Sequence, residues 1–389
     1  MRILWQSATP CCNSGYGKQS RGLITRLTSA GHTVTVATKH PSFGLYTWDG
    51  VNIVPGQDIA YLCEFMKAYR YDLAFTLWDI WMLSDKRKFP KDRWAAYVPI
   101  DTDGISKQLL NVVKETRWPV AMSKHGMKAM QDAGLSPMYG PHGVDMTALR
   151  PDADARAAFR ADFGWDDETF VVGSVGLNYR DDRKGFIPLM QAFKVFHERH
   201  PKSRLYLHTD AGLKGGDAIP FHKVATALGI GEWVAWPNQM SYALNLIDED
   251  WLRSVYNGMD VYCSPTRGEG FGICTIDAQA CGVPVIISNN TTGPELCKTG
   301  WLIDVAERDV RWLANDAFRH EPQMDAVLEQ LETAYQERET MGQPHIRQYI
   351  RSRVLDYDWP AVWETYWRQI FERIERELPE RKSTVANTP

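Results

Sequence analysis

One stretch limits the fold more than any other, Val261 to Ser288. An apolar run, Val261 to Ser264, enters a glycine turn, Gly268-Glu-Gly-Phe-Gly272. From about Ile273 to Cys281 the pattern is helical, and Gly282 and Pro284 stop it. Val283 to Ser288 is apolar again. Strand, turn, helix and strand make a βαβ unit, whose crossover requires parallel strands. Ligands of such sheets sit at the carboxyl ends of the strands, where this turn lies.

The unit places two acids, Glu269 in the turn and Asp277 eight residues on, in the helix. Backbone N–H groups of the turn and the helix N-terminus suit an anion such as a phosphate. Carboxylates repel phosphate but accept hydrogen bonds from sugar hydroxyls. The combination reads as a site for a phosphorylated sugar or a nucleotide.

The same alternation recurs along the chain. Ile3 to Trp5 reads as a first strand, followed by a polar loop, a helix over about Gly17 to Ala30 and the β-branched strand Thr33 to Thr38. The loop is neither a dinucleotide fingerprint nor a phosphate-binding Walker loop. Ser20 stands where the first needs a glycine, and Gln19 follows Gly17-Lys18 where the second needs Ser or Thr. Further strands are expected at Asp72 to Trp78, Ala95 to Ile100 and Pro119 to Met122. Ala95 to Ile100 ends at Asp101-Thr-Asp103, so Asp101 is either a site group at a strand end or a turn former. His125 and Lys128 fall near the start of a helix capped by Ser123, facing either the cleft or solvent.

Later strands are Phe170 to Val175, Leu205 to Thr209 and Trp233 to Ala235. The loop after Val175 carries Arg180, Arg183 and Lys184, fixed cations suited to a departing phosphate. Helices are expected at about Glu307 to Phe318, Asp325 to Thr340, His345 to Val354 and Trp359 to Leu378. The tail, Arg381 to Pro389, reads as disordered.

At 389 residues the chain has room for two or three domains. Its seven cysteines lack Cys-x-x-Cys spacing, which argues against a disulfide framework and a zinc site and for a reducing, cytoplasmic setting. No apolar run reaches membrane-spanning length, and Met1-Arg-Ile-Leu-Trp-Gln6 has no signal-peptide character. Charge is uneven: residues 1–150 hold 18 Lys+Arg against 12 Asp+Glu, and the remainder 26 against 36. The basic half suggests an anionic partner, nucleic acid or a membrane surface touched peripherally, or chance drift. Its densest cluster, Asp85 to Arg93, is either a solvated loop or an anion-facing patch.

The stretch around Glu269 and Asp277 resembles the signature of retaining GT-B glycosyltransferases of family 4, glycosyl transferases group 1. An α/β architecture is implied: two Rossmann-like parallel-sheet domains face each other across a cleft, and a C-terminal helix crosses back to the first. Gly140-Pro-His-Gly-Val-Asp145 resembles the family's interdomain segment, with His142 where Asn is usual. The expected division is residues 1–148 on the acceptor side, 149–355 for the donor and 356–380 for the crossing helix.

The resemblance also implies roles. Glu269 contacts the donor sugar, and Asp277, where Glu is usual, the ribose. Lys184 matches the family's diphosphate-gripping lysine. Leu177 holds the usual arginine position, so Arg180 or Arg183 substitutes. Asp101 would lie beside the reacting sugar. Gly15 and Gly17 would let backbone approach the diphosphate or the acceptor. Gly270, Phe271 and Gly272 form the donor turn, and Glu295 shapes the pocket. Trp236 to Gln239 would lie near the base. The implied reaction moves a sugar from a UDP- or GDP-sugar, with retention, to an acceptor hydroxyl on a carbohydrate, lipid or small molecule. A nucleic-acid acceptor, or an epimerase or phosphorylase of the same fold, is the alternative. The nucleotide sugar is co-substrate; no other cofactor and no metal is implied, although Asp101-Thr-Asp103 has the letters of a metal motif.

Overall fold

The computed structural model describes residues 1–38, 46–56, 59–80, 90–212, 218–313 and 316–380. Most of the basic cluster at 85–93 and the tail from 381 lie outside the described residues.

The first sheet contains β1 (Arg2–Gln6), β2 (Thr33–Thr38), β3 (Thr47–Trp48), β4 (Val51–Pro55), β5 (Leu73–Leu77), β6 (Trp94–Val98), β7 (Trp118–Ala121) and β8 (Met138–Tyr139). Its order is β3-β4-β2-β1-β5-β6-β7-β8, parallel except for the β3–β4 edge. The second contains β9 (Phe170–Val175), β10 (Ser203–His208), β11 (Val234–Ala235), β12 (Val261–Ser264), β13 (Val285–Ser288) and β14 (Gly300–Ile303). Its order, β11-β10-β9-β12-β13-β14, is wholly parallel. Helices cover both faces, so β5, β6, β7 and β9 are buried throughout and read as apolar runs rather than alternating ones.

Both sheets reverse their strand order, at β1/β5 and at β9/β12. Loops on either side of a reversal diverge and leave a crevice between them. The loop at Ser7–Ser14, the turn at Trp78-Asp79, the loop Gly176–Gly185 and the glycine turn therefore share one cleft.

The C-terminal segment returns to the first domain. Trp359 fills the space left by Gly22 and Gly143, where a Cβ would stand 2.0 and 2.3 Å from its ring. Trp367 packs edge-on against Tyr97 at 4.7 Å and donates from Nε1 to the Pro141 carbonyl at 2.9 Å. One π-helical turn, Trp363–Trp367, interrupts the expected continuous helix.

One expected helix is absent. Glu307 to Phe318 belongs to an antiparallel hairpin, β15 (Val305–Leu313) and β16 (Ala317–Pro322). Its pattern has a period of two: Trp312 pairs with Phe318 and Val310 with His320. Asp316, at φ +60°, turns the chain. The hairpin leaves the second domain and touches the first, where the Asp103 N–H donates to the Phe318 carbonyl at 3.0 Å.

Candidate active site

The glycine turn follows β12 and leads into the helix Ile273–Ala280. Gly272 adopts φ +92° at the helix start, a conformation other residues resist. Gly270 serves close approach: a Cβ there would stand 2.4 Å from Pro99 Cβ, across the cleft in the first domain. A Cβ on Gly268 would likewise meet the Asp101 carbonyl oxygen at 2.1 Å. The turn is pressed against the end of β6.

Glu269 is buried at the centre. Its Oε1 accepts from Lys184 Nζ at 2.6 Å and its Oε2 from Arg183 Nη1 at 3.0 Å. Burial by itself raises this carboxyl, but Lys184 and Arg183 outweigh burial and hold it at about 2. Its N–H donates to Thr291 Oγ1 at 3.1 Å. Thr291 holds φ +39°, rare for a β-branched residue, so surrounding contacts impose that geometry.

Arg183 and Lys184 reach Glu269 because their loop ends at Gly185, whose φ of +72° starts the helix Phe186–Arg199. Arg183 also lies 3.6 Å from Asp101 Oδ2. The four expected groups Asp101, Arg183, Lys184 and Glu269 thus meet across the domains. Arg180 does not join them: it is exposed and lies over the Tyr179 ring, so Arg183 is the arginine of this cluster.

Asp277 is buried one helix turn deeper, where burial raises its carboxyl. Its Oδ2 meets Lys18 Nζ, from the first domain, at 3.3 Å. Gly15 faces the same helix, its Cβ position lying 3.8 Å from Ile273. Gly17 instead serves its own loop: a Cβ there would meet the Cys12 carbonyl oxygen at 2.0 Å, and its N–H is capped by Ser14.

Three expected groups make contacts of other kinds. The Phe271 ring is buried between the domains, 4.5 Å from His142, so only its backbone faces the turn. Glu295 clasps the domains together, accepting from the Tyr139 hydroxyl and the Lys124 N–H, each at 2.7 Å. Gln239 holds the loop after β10 by bonds to Ala211 and Thr209.

Sequence reasoning missed Lys18, Asp79 and Arg319. Asp79 follows the end of β5, accepts from Tyr16, and is pushed up to about 6 by burial and the neighbouring Asp101, against Arg183. Its position just past a strand end was a usable signal. Arg319 lies on the unexpected hairpin. It donates to the Asp101 carbonyl at 3.1 Å and carboxylate at 2.7 Å, and to Asp181 at 3.0 Å. Among the described residues no cluster of His, Cys, Asp and Glu is placed to hold a metal. No helix among them is long and apolar enough to cross a membrane.

Solved structures share this architecture. Sucrose-phosphate synthase from Thermosynechococcus elongatus superposes with a TM-score of 0.75 at 18% identity, covering 97% of this chain and 99% of that one. Anabaena HepE, solved in complex with UDP-glucose, gives 0.73 at 16%, covering 97% and 100%. The fold is GT-B. Residues 169–318 match the family model described as glycosyl transferases group 1. The chain has the GT-B fold, and its second domain is similar to glycosyl transferases group 1 over the matched residues. Sequence relatives include a GDP-mannose-dependent alpha-(1-6)-phosphatidylinositol monomannoside mannosyltransferase of Mycolicibacterium smegmatis, 30% identical over 48% of each chain. A D-inositol 3-phosphate glycosyltransferase of Rhodococcus jostii is 36% identical over 38% of this chain and 31% of its own. The chain thus spans about half or less of the length of these relatives.

Proposed function

We propose that the chain is a retaining glycosyltransferase that moves a sugar from a UDP- or GDP-sugar to an acceptor hydroxyl. The observation that carries this reading is the triad of Lys184, Arg183 and Glu269 at a strand-order reversal, one helix turn from Asp277. In the proposed step the acceptor oxygen attacks the anomeric carbon on the face from which the nucleoside diphosphate leaves. The carbon–phosphate oxygen bond breaks, and the acceptor proton passes to the departing phosphate. Lys184 and Arg183 stabilise the charge growing on that phosphate, in a partly desolvated site where fixed cations act strongly. Glu269 holds both cations in place and turns its carboxylate to the sugar hydroxyls. Asp277 exchanges Lys18 for the ribose.

The relatives support the donor class, since one uses GDP-mannose and a structural neighbour holds UDP-glucose. We divide the chain at about residues 148 and 355, with the donor on the second domain, and read the enzyme as metal-independent and cytoplasmic. Thermal-shift titration with UDP-, GDP- and ADP-sugars tests this reading. One donor should raise the melting temperature, and Glu269→Ala and Lys184→Ala should each abolish the shift. No shift with any donor sinks the site assignment.

A further inference from the structure

A cavity of about 520 Å3 lies between the domains beside the hairpin, within the size range of small-ligand sites, roughly 300–1,000 Å3. The first domain lends it Asp103 and His125; the second lends Asn289, Thr291, Asp304 and His320. It adjoins the cluster described above through two groups. Thr291 accepts the Glu269 N–H, and Arg319, also in the cavity wall, grips Asp101. Arg319 and His320 lie beyond residue 318, where the family match ends.

The bonding state of each wall group decides what the cavity takes. Its two arginines are each held between two acidic residues. Arg319 is committed to Asp101 and Asp181, and Arg267 to Asp182 and Glu321. The Asn290 amide donates to the Thr266 and Arg267 carbonyls. What remains is of another kind. Asp304 and Asn289 are exposed, with no side-chain hydrogen bond among the described residues. Asp103 is half-exposed, its Oδ2 3.5 Å from His320. His125 donates from Nε2 to the Thr102 carbonyl at 2.8 Å, which leaves Nδ1 as an acceptor. Val305 is the one aliphatic side chain in the lining. The Asp304 and Asp103 carboxylates accept from hydroxyls and repel phosphate, and the Asn289 carboxamide and the imidazole nitrogen add hydrogen-bonding groups that a hydroxyl can also use.

We propose that this cavity binds a neutral, hydroxyl-rich ring, a further sugar unit of the acceptor held next to the transfer centre. The assignment of that ring to the acceptor rests on the transferase reading; the chemistry of the cavity does not. A phosphorylated acceptor or a nucleic-acid backbone would face Asp103 and Asp304 and is disfavoured.

Saturation-transfer NMR on the full chain tests this, with methyl α-mannoside and methyl α-glucoside beside their phosphorylated counterparts. Transfer should reach the neutral glycosides and be several-fold weaker for the phosphates. It should fall about tenfold in the Asp304→Ala/Asn289→Ala double variant, as lost hydrogen bonds to a carboxylate and an amide imply. Both residues lie outside the donor cluster, so stabilisation by the nucleotide sugar should match the parent's. Stronger transfer to the phosphates, a signal unchanged in the double variant, or no transfer at all overturns the proposal. Donor stabilisation separates the two readings. If it is absent while glycoside transfer depends on Asp304, the transferase reading fails and the sugar site stands; the converse sinks the cavity site alone.

Discussion

In the second domain, Arg183, Lys184 and Glu269 come from the loops after the neighbouring strands β9 and β12, and they bond to one another. In the first domain, Lys18, Asp79 and Asp101 follow β1, β5 and β6, and two of the three find partners across the cleft. Lys18 meets Asp277, and Asp101 meets Arg319 and Arg183. One half of the site is self-assembled; the other is completed by domain contact. The Lys184, Arg183 and Glu269 cluster is therefore built within the second domain, whereas Lys18 and Asp101 take their partners from across the cleft.

The largest expected effect tests the self-assembled half. Lys184→Ala should cut transfer roughly 10²–10³-fold in kcat, the usual cost of removing one charge-stabilising donor. A loss under tenfold would move the electrostatic work elsewhere.

Two glycines then compare contact across the cleft. Gly270→Ala forces a Cβ against Pro99, a ring that does not yield, and should destabilise the chain by about 1–3 kcal/mol. Gly15→Ala, whose Cβ would sit at an ordinary 3.8 Å from Ile273, should leave the melting temperature unchanged. Equal effects would contradict the tight seating of the glycine turn on the first domain.

Two acids sharpen the comparison through pH. Glu269 is held at about 2 against an ordinary 4.5, so its contribution to stability is complete above 4.5 and lost as pH falls towards 2. Asp79 is raised to about 6 from an ordinary 3.8, so the folded state holds its proton longer than the unfolded chain. Stability should therefore decline as pH rises from about 4 to 6, and then level off. Denaturant melts from about pH 2 to 7 should show both slopes, with Asp79→Asn removing the upper one and Glu269→Gln reducing the lower. An upper slope that persists in Asp79→Asn refutes its assignment.

The smallest effect concerns the arginine left outside. Arg180→Ala, at an exposed position outside the Glu269 cluster, should leave donor-induced stabilisation intact. Arg183→Ala should abolish that stabilisation. If the two variants behave alike, the contrast between the loop's arginines is wrong.

Much of the second domain's half of the site was legible in the residues. The βαβ pattern, the glycine turn and the spacing of Glu269 and Asp277 are local, and backbone conformation follows from a few neighbouring residues. The cluster of Lys184 with Glu269 was legible only as two separate loops. The hairpin at Val305–Pro322 was misread as a helix because Glu, Arg and Ala residues favour helices, while its period of two spans a short window. With that error Arg319 and its grip on Asp101 were out of reach.

Local pattern was enough for two parallel α/β sheets, the glycine turn that faces their cleft, and the acids in that turn and the helix after it. Hydrophobic periodicity and the steric demands of glycine act within a few residues and leave their mark in the order of the letters. Long-range packing brings Lys18 to Asp277, Arg183 rather than Arg180 to Glu269, and Arg319 to Asp101. Those partners are 259, 86 and 218 residues apart, and no local rule acts over such separations. Packing of the two domains brings them together.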